Sequence, residues 1–184
     1  MPDAIVAPLA EWESFYVIIG SSAAALTGLM FVVIALIAEG PSPGATPLSI
    51  GAFSTPTIVH FCAALLISAV LSAPWHSLVH AGIALGAAGA AGIVYTLVIL
   101  KRARGHTGYT PVLEDWIWHV VLPLAAYLTI SGAVVVLRDD VHAALFAIGG
   151  ATVFLVFIGI HNAWDTVIFI VEQRMKKQSE QQRS

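Results

Sequence analysis

The chain alternates long stretches without formal charge and short polar interruptions. Uncharged runs cover Ser14 to Ala38, Gly40 to Leu100, Trp116 to Leu137 and Val141 to Trp164. An α-helix needs about 20 apolar residues to cross roughly 30 Å of hydrocarbon. The first, third and fourth runs each fit one crossing. The second fits two crossings joined by a turn, and Ser72-Ala73-Pro74-Trp75-His76-Ser77 supplies the turn residues. Five helices are therefore expected, near 14–38, 48–73, 78–100, 114–137 and 141–172. Strands are not expected, because no run alternates with a period of two and so short a chain closes no membrane barrel.

The interruptions fit this division. Glu39-Gly40-Pro41-Ser42-Pro43-Gly44-Ala45-Thr46-Pro47 cannot continue a helix. Lys101 to Pro111 is polar and carries Gly105 and Gly108, and Arg138-Asp139-Asp140 is a tight connection. The sequence reads as an all-α, polytopic bundle of five transmembrane helices. Residues 1–172 form its single domain, and 173–184 form a short polar cytoplasmic tail that frays into solvent.

Composition narrows the class further. The 184 residues include only 8 Lys or Arg and 11 Asp or Glu, 10% in all, against about 25% in a soluble domain. That balance excludes a soluble globular fold. It leaves no basic surface to neutralise phosphates, so a nucleic-acid partner is not expected. The expected surroundings are the lipid of a cell membrane, a bacterial inner membrane in particular.

The few basic residues set an orientation. Lys101, Arg102 and Arg104 follow helix 3, and Arg174, Lys176, Lys177 and Arg183 follow helix 5. Cytoplasmic ends carry the excess of Lys and Arg, so both groups belong inside and the N-terminus outside. Trp12 and Trp75 then mark the outer interface, with Trp116, Trp118 and Trp164 at the inner one. Met1-Pro2-Asp3 has no basic n-region, so no cleaved signal peptide is read there. Cys62 is alone and reads as a small buried apolar residue.

Small residues recur at four-residue spacing, as Gly20, Ala24 and Gly28 in helix 1 and Gly82, Gly86 and Ala90 in helix 3. Gly149, Gly150 and Gly159 lie in helix 5. Such rows let helix backbones approach closely, either within one protomer or between copies in a homo-oligomer.

Ionisable groups at membrane depth are costly and mark function. Asp165 is the one formally charged residue well inside an expected span, and His60, His119 and His161 join it. His161, Asp165 and Glu172 share a face of helix 5, and Asp115 and His119 share one of helix 4. In helix 2, Thr57, His60, Ala64 and Ser68 form one stripe. Counting about 1.5 Å per residue from the cytoplasmic ends puts all six ionisable groups in that half, with His60 and His161 near the midplane. Pro123 is expected to kink helix 4 near His119.

Three uses fit this ladder. Histidine titrates near neutrality, so His60, His119, His161 and Asp165 can hand on protons, or line a channel-like path for an ion or small solute, along helices 2, 4 and 5. The same four suit a transition metal such as zinc or iron. His60 and His161 can also serve as axial ligands of a haem in an enzyme or electron-transfer protein. Against these stands plain structural pairing, as in one subunit of a larger membrane complex, with Asp165 bonded to a histidine and Asn162 bridging helices. His76, His80, His106 and His142 fall in or near loops. No Ser-His-Asp order, phosphate loop or dinucleotide fingerprint occurs, so no enzyme class is assigned.

Overall fold

The structure is a computed structural model that describes residues 8–39, 47–105 and 113–181. Among them there is helix and no strand. After a single turn at 8–11, α1 spans Glu13–Glu39, α2 Pro47–Ser72 and α3 Leu78–Gly105. Helix α4 is continuous but irregular, with Leu113–Trp116, a π-helical turn at Ile117–Val121, and Leu122–Val136. Helix α5 runs from Val141–Gln181. All five contain a segment long and apolar enough to cross a membrane. They ring themselves with outward-facing Val17, Leu29, Phe31, Ile83, Val135 and Phe157, each more than half exposed. That surface suits lipid and not water.

Helix α5 continues past Gln173, where the polar tail was expected to fray. The segment Glu-Gln-Arg-Met-Lys-Lys-Gln-Ser-Glu-Gln contains neither glycine nor proline and is rich in strong helix formers. Glu172 and Lys176, four residues apart, add i,i+4 support.

Helices α2, α5, α4 and α3 form a ring in which each packs on the next, and α1 lies outside against α2. Burial follows this order: 56% of the α5 span lies inside the bundle, against 17% of the α1 span. Two short connections hold one end. Asp140 caps α5 by accepting the Ala143 N–H at 2.9 Å, and the Ser77 hydroxyl accepts the Val79 N–H at 3.2 Å to start α3.

Glycines set the closest approaches. A Cβ at Gly20 would lie 2.9 Å from that of Ser68, and one at Gly149 would lie 2.8 Å from the Trp12 ring. At Gly89 it would strike the Ser131 hydroxyl, at Gly92 the Tyr127 ring and at Gly159 the Phe61 ring. These five glycines therefore serve packing within the chain. A Cβ at Gly28, Gly132 or Gly150 would meet no described atom of another helix within 4 Å. Cys62 is exposed rather than buried, on the outer side of α2.

The irregular turn in α4 has a chemical cause. Pro123 has no N–H to give the carbonyl four residues earlier, that of His119. The ladder widens ahead of it, and the Leu122 N–H bonds the Ile117 carbonyl five residues back. The kink expected at Pro123 thus takes the form of a π turn that carries Trp118 and His119.

Gly92→Leu and Gly159→Leu are expected to lower unfolding stability in mixed micelles by about 1–3 kcal/mol or more, because each overfills a backbone contact. Gly150→Leu is expected to stay within about 0.5 kcal/mol. Equal effects at all three positions would contradict this packing.

Candidate functional site

The polar stripe of α2 is wholly inside the bundle. Thr57, His60 and Ala64 are each 0% exposed and Ser68 is 2% exposed. His60 sits where the four-helix ring closes. Its Nδ1 is 2.9 Å from the Tyr127 hydroxyl on α4, and its ring meets that of Tyr95 on α3 edge to face at 6.4 Å. Next to it, Phe61 packs on Gly159 of α5. The Tyr127 ring reaches the centre because it lies directly over Gly92, where any side chain would displace it. Gly92 therefore positions Tyr127, and Tyr127 holds His60. The other ring nitrogen of His60, Nε2, has no partner. His119, half-buried on the π turn, lies within electrostatic reach of His60.

A second histidine centre lies to one side. The His161 ring stacks on that of Trp118, with centroids 3.6 Å apart and planes 8° apart. Its Nδ1 is 3.0 Å from Asp165 Oδ2, an ion-pair distance one turn along α5, although the angles are not those of a hydrogen bond. The side chains are 26% and 50% exposed. Asp165 thus looks outward near the end of the α5 span, which closes at Phe169. Its charge is thus on the outside of the bundle and not buried within it.

The expected ladder is therefore split. His60 belongs to the interior of the ring, with half-buried His119 within its electrostatic reach, while His161 and Asp165 pair on α5 beneath Trp118. Glu172 is exposed beyond the span, and the Asp115 side chain lies outside the described residues. His76, His80 and His142 are exposed, as expected for loop and helix-end positions, and His106 lies outside the described residues.

Among the described residues no three His, Cys, Asp or Glu side chains stand close enough to hold a metal ion. His60 keeps one open ring nitrogen, but among the described residues it belongs to no group of three such side chains. His161 is engaged by Trp118 and Asp165. Among the described residues, the three-ligand set expected for a zinc or iron centre does not come together.

Tyr127, Tyr95 and Trp118 are the site residues that sequence reasoning missed. The sequence places Trp118 at the inner interface and gives no sign that Tyr95 or Tyr127 matters, and only the packing of the helices shows that the three rings meet histidines. Comparison with protein-family models, with curated proteins and with solved structures finds no match.

Tyr127→Phe leaves His60 Nδ1 unpaired and is expected to cost about 1–2 kcal/mol of unfolding stability. In a double-mutant cycle with His60→Leu the two losses should be non-additive, with a coupling of about 0.6–1.7 kcal/mol. Additive losses would show that the two side chains do not interact.

Proposed function

We propose that this protein is a multi-pass membrane protein that passes protons along the buried polar stripe of α2, with His60 and Tyr127 at its centre. The observation that carries this reading is a fully buried imidazole bonded to a tyrosine hydroxyl on one side and unpaired on the other. Imidazole and phenol can each give and accept a proton, and buried polar groups of this kind are expensive to keep in lipid without a use. The stripe continues in both directions. From Thr57 to Ser68 it covers about 16 Å along the helix axis, at 1.5 Å per residue. Both hydroxyls are unpaired, and so is the buried hydroxyl of Tyr16 on α1, the helix whose Gly20 packs on Ser68. On the other flank, His119 is the titratable group on α4 that lies within electrostatic reach of His60.

His161 and Asp165 are given a different role in this reading. Their outward pair serves as a proton-collecting group near the basic end of the bundle, where α3 ends in Arg102 and Arg104 and α5 continues to Lys176 and Lys177. We assign that end to the cytoplasm on the excess of Lys and Arg, with the N-terminus outside. The homo-oligomer expected from the glycine rows stays part of this reading: of those glycines, Gly28 and Gly150 are the ones where an added Cβ would meet no described atom within 4 Å, which leaves both open to a second copy.

In liposomes with a trapped pH dye and a potassium diffusion potential, the protein is expected to carry protons faster than empty vesicles do. His60→Ala should reduce that flux by on the order of tenfold or more, and Cys62→Ser should leave it unchanged. An undiminished flux in folded His60→Ala protein would remove this proposal and favour plain structural pairing. Orientation is tested in a Cys62→Ser background. Asp139→Cys should react with an impermeant maleimide in intact cells, and Lys176→Cys only after permeabilisation. The reverse pattern would invert the topology.

A further inference from the structure

Most buried threonines of this bundle solve their hydrogen-bonding problem locally. Thr96, Thr152 and Thr166 each donate to the carbonyl four residues earlier, at 2.9, 2.7 and 2.8 Å. The more exposed Thr27 and Thr129 do the same. Thr57 does not. It is 0% exposed, and its hydroxyl has no partner. Asn162 on α5 is 1% exposed, and neither its amide nitrogen nor its amide oxygen has a partner. His60 Nε2 joins them, whereas the other unpaired hydroxyls, of Tyr16, Ser68 and Ser131, lie elsewhere along the chain. A polar side chain with no partner in a dry, lipid-embedded core is strongly disfavoured, so three of them call for an explanation.

Helix register brings them to one place. Thr57 and His60 are three residues apart and share a face of α2. Phe61 of α2 crosses Gly159 of α5, and the two helices run antiparallel. One turn back from Phe61 is Thr57, and one turn on from Gly159 is Asn162. The two therefore face each other across the same interface, beside His60.

We propose that Thr57, His60 and Asn162 form a buried site that binds a small uncharged molecule able both to donate and to accept hydrogen bonds, and that this molecule is water. The amide and the hydroxyl each offer a donor and an acceptor, and the imidazole nitrogen offers one or the other. None of the three brings a fixed charge, so the site does not favour a bare cation. Buried waters in proteins typically make about three hydrogen bonds to polar groups that would otherwise be unpaired, which is the number of side chains available. Thr57 and Asn162 are then positioning residues that hold the water against His60 Nε2. As a link in the path along α2 this rests on the proton-transfer reading, but its test reads hydration and not flux, so the two can fail separately.

The test uses the full chain, labelled with ¹⁵N-histidine, in lipid bilayers. Solid-state NMR measures magnetisation transfer from water to each imidazole, with the His60 signal identified by its loss in His60→Gln. In the unmodified protein His60 should receive magnetisation from water despite its complete burial. In Thr57→Val, a near-isosteric change, and in Asn162→Leu, that transfer should fall by about threefold or more while that of His161 is unchanged. Absence of transfer in the unmodified protein, or transfer unaffected by both substitutions, overturns the proposal. Thermal unfolding gives a second reading. Replacing a dry, unpaired amide by leucine removes a penalty and raises the melting temperature. A hydrated site predicts no rise in Asn162→Leu, and a clear rise would show the site to be dry. Normal hydration without proton flux would leave the site standing and remove only the transport reading.

Discussion

The contact between His60 and Tyr127 organises this bundle. It ties α2 to α4 across a ring whose other seams are built largely from glycine and apolar or aromatic side chains. In lipid, helices gain little from burying apolar surface against one another, because the solvent is equally apolar. Close backbone approach and interhelical hydrogen bonds must then define the arrangement. Gly92 lets the tyrosine ring lie flush on α3, the tyrosine hydroxyl meets the histidine, and Gly159 admits Phe61 beside it. Each of these contacts fixes the position of the next, so the register of all four ring helices converges on His60.

The same logic separates two kinds of histidine. His60 is held inside by partners on other helices, and its environment belongs to the fold. His161 is held by Trp118 and by a carboxylate on its own helix, at the bundle's outer surface. Pro123 links the two centres indirectly. By removing one N–H from α4 it accounts for the wide turn that carries both Trp118, stacked on His161 of α5, and His119. A single proline thus serves both histidines.

The five helices were legible in the sequence because charge is so strongly excluded from hydrocarbon. The expected 48–73 and 114–137 lie within a residue of Pro47–Ser72 and Leu113–Val136. Legibility ended where the membrane ends, since α5 continues to Gln181 on helix propensity that no apolar pattern reports. The α2 stripe of Thr57, His60, Ala64 and Ser68 was readable from spacing alone, and all four are buried. Its partners were not readable. In a membrane bundle both the inner and the outer faces of a helix are apolar, so periodicity does not reveal which way a residue points. Asp165 was therefore placed with the interior histidines on the strength of its charge, whereas it faces outward. Tyr127 was passed over because its ring counts as apolar until its hydroxyl finds a partner.

The central claim is that the buried imidazole of His60 communicates with water through the polar stripe of α2. Transfer of the ¹⁵N-histidine-labelled protein, in bilayers, from H₂O to D₂O tests this most directly. The His60 ring proton is expected to exchange within minutes, close to the behaviour of the partly exposed His161. Retention of that proton for days, alongside the core backbone amides, would show a sealed structural hydrogen bond and contradict the account.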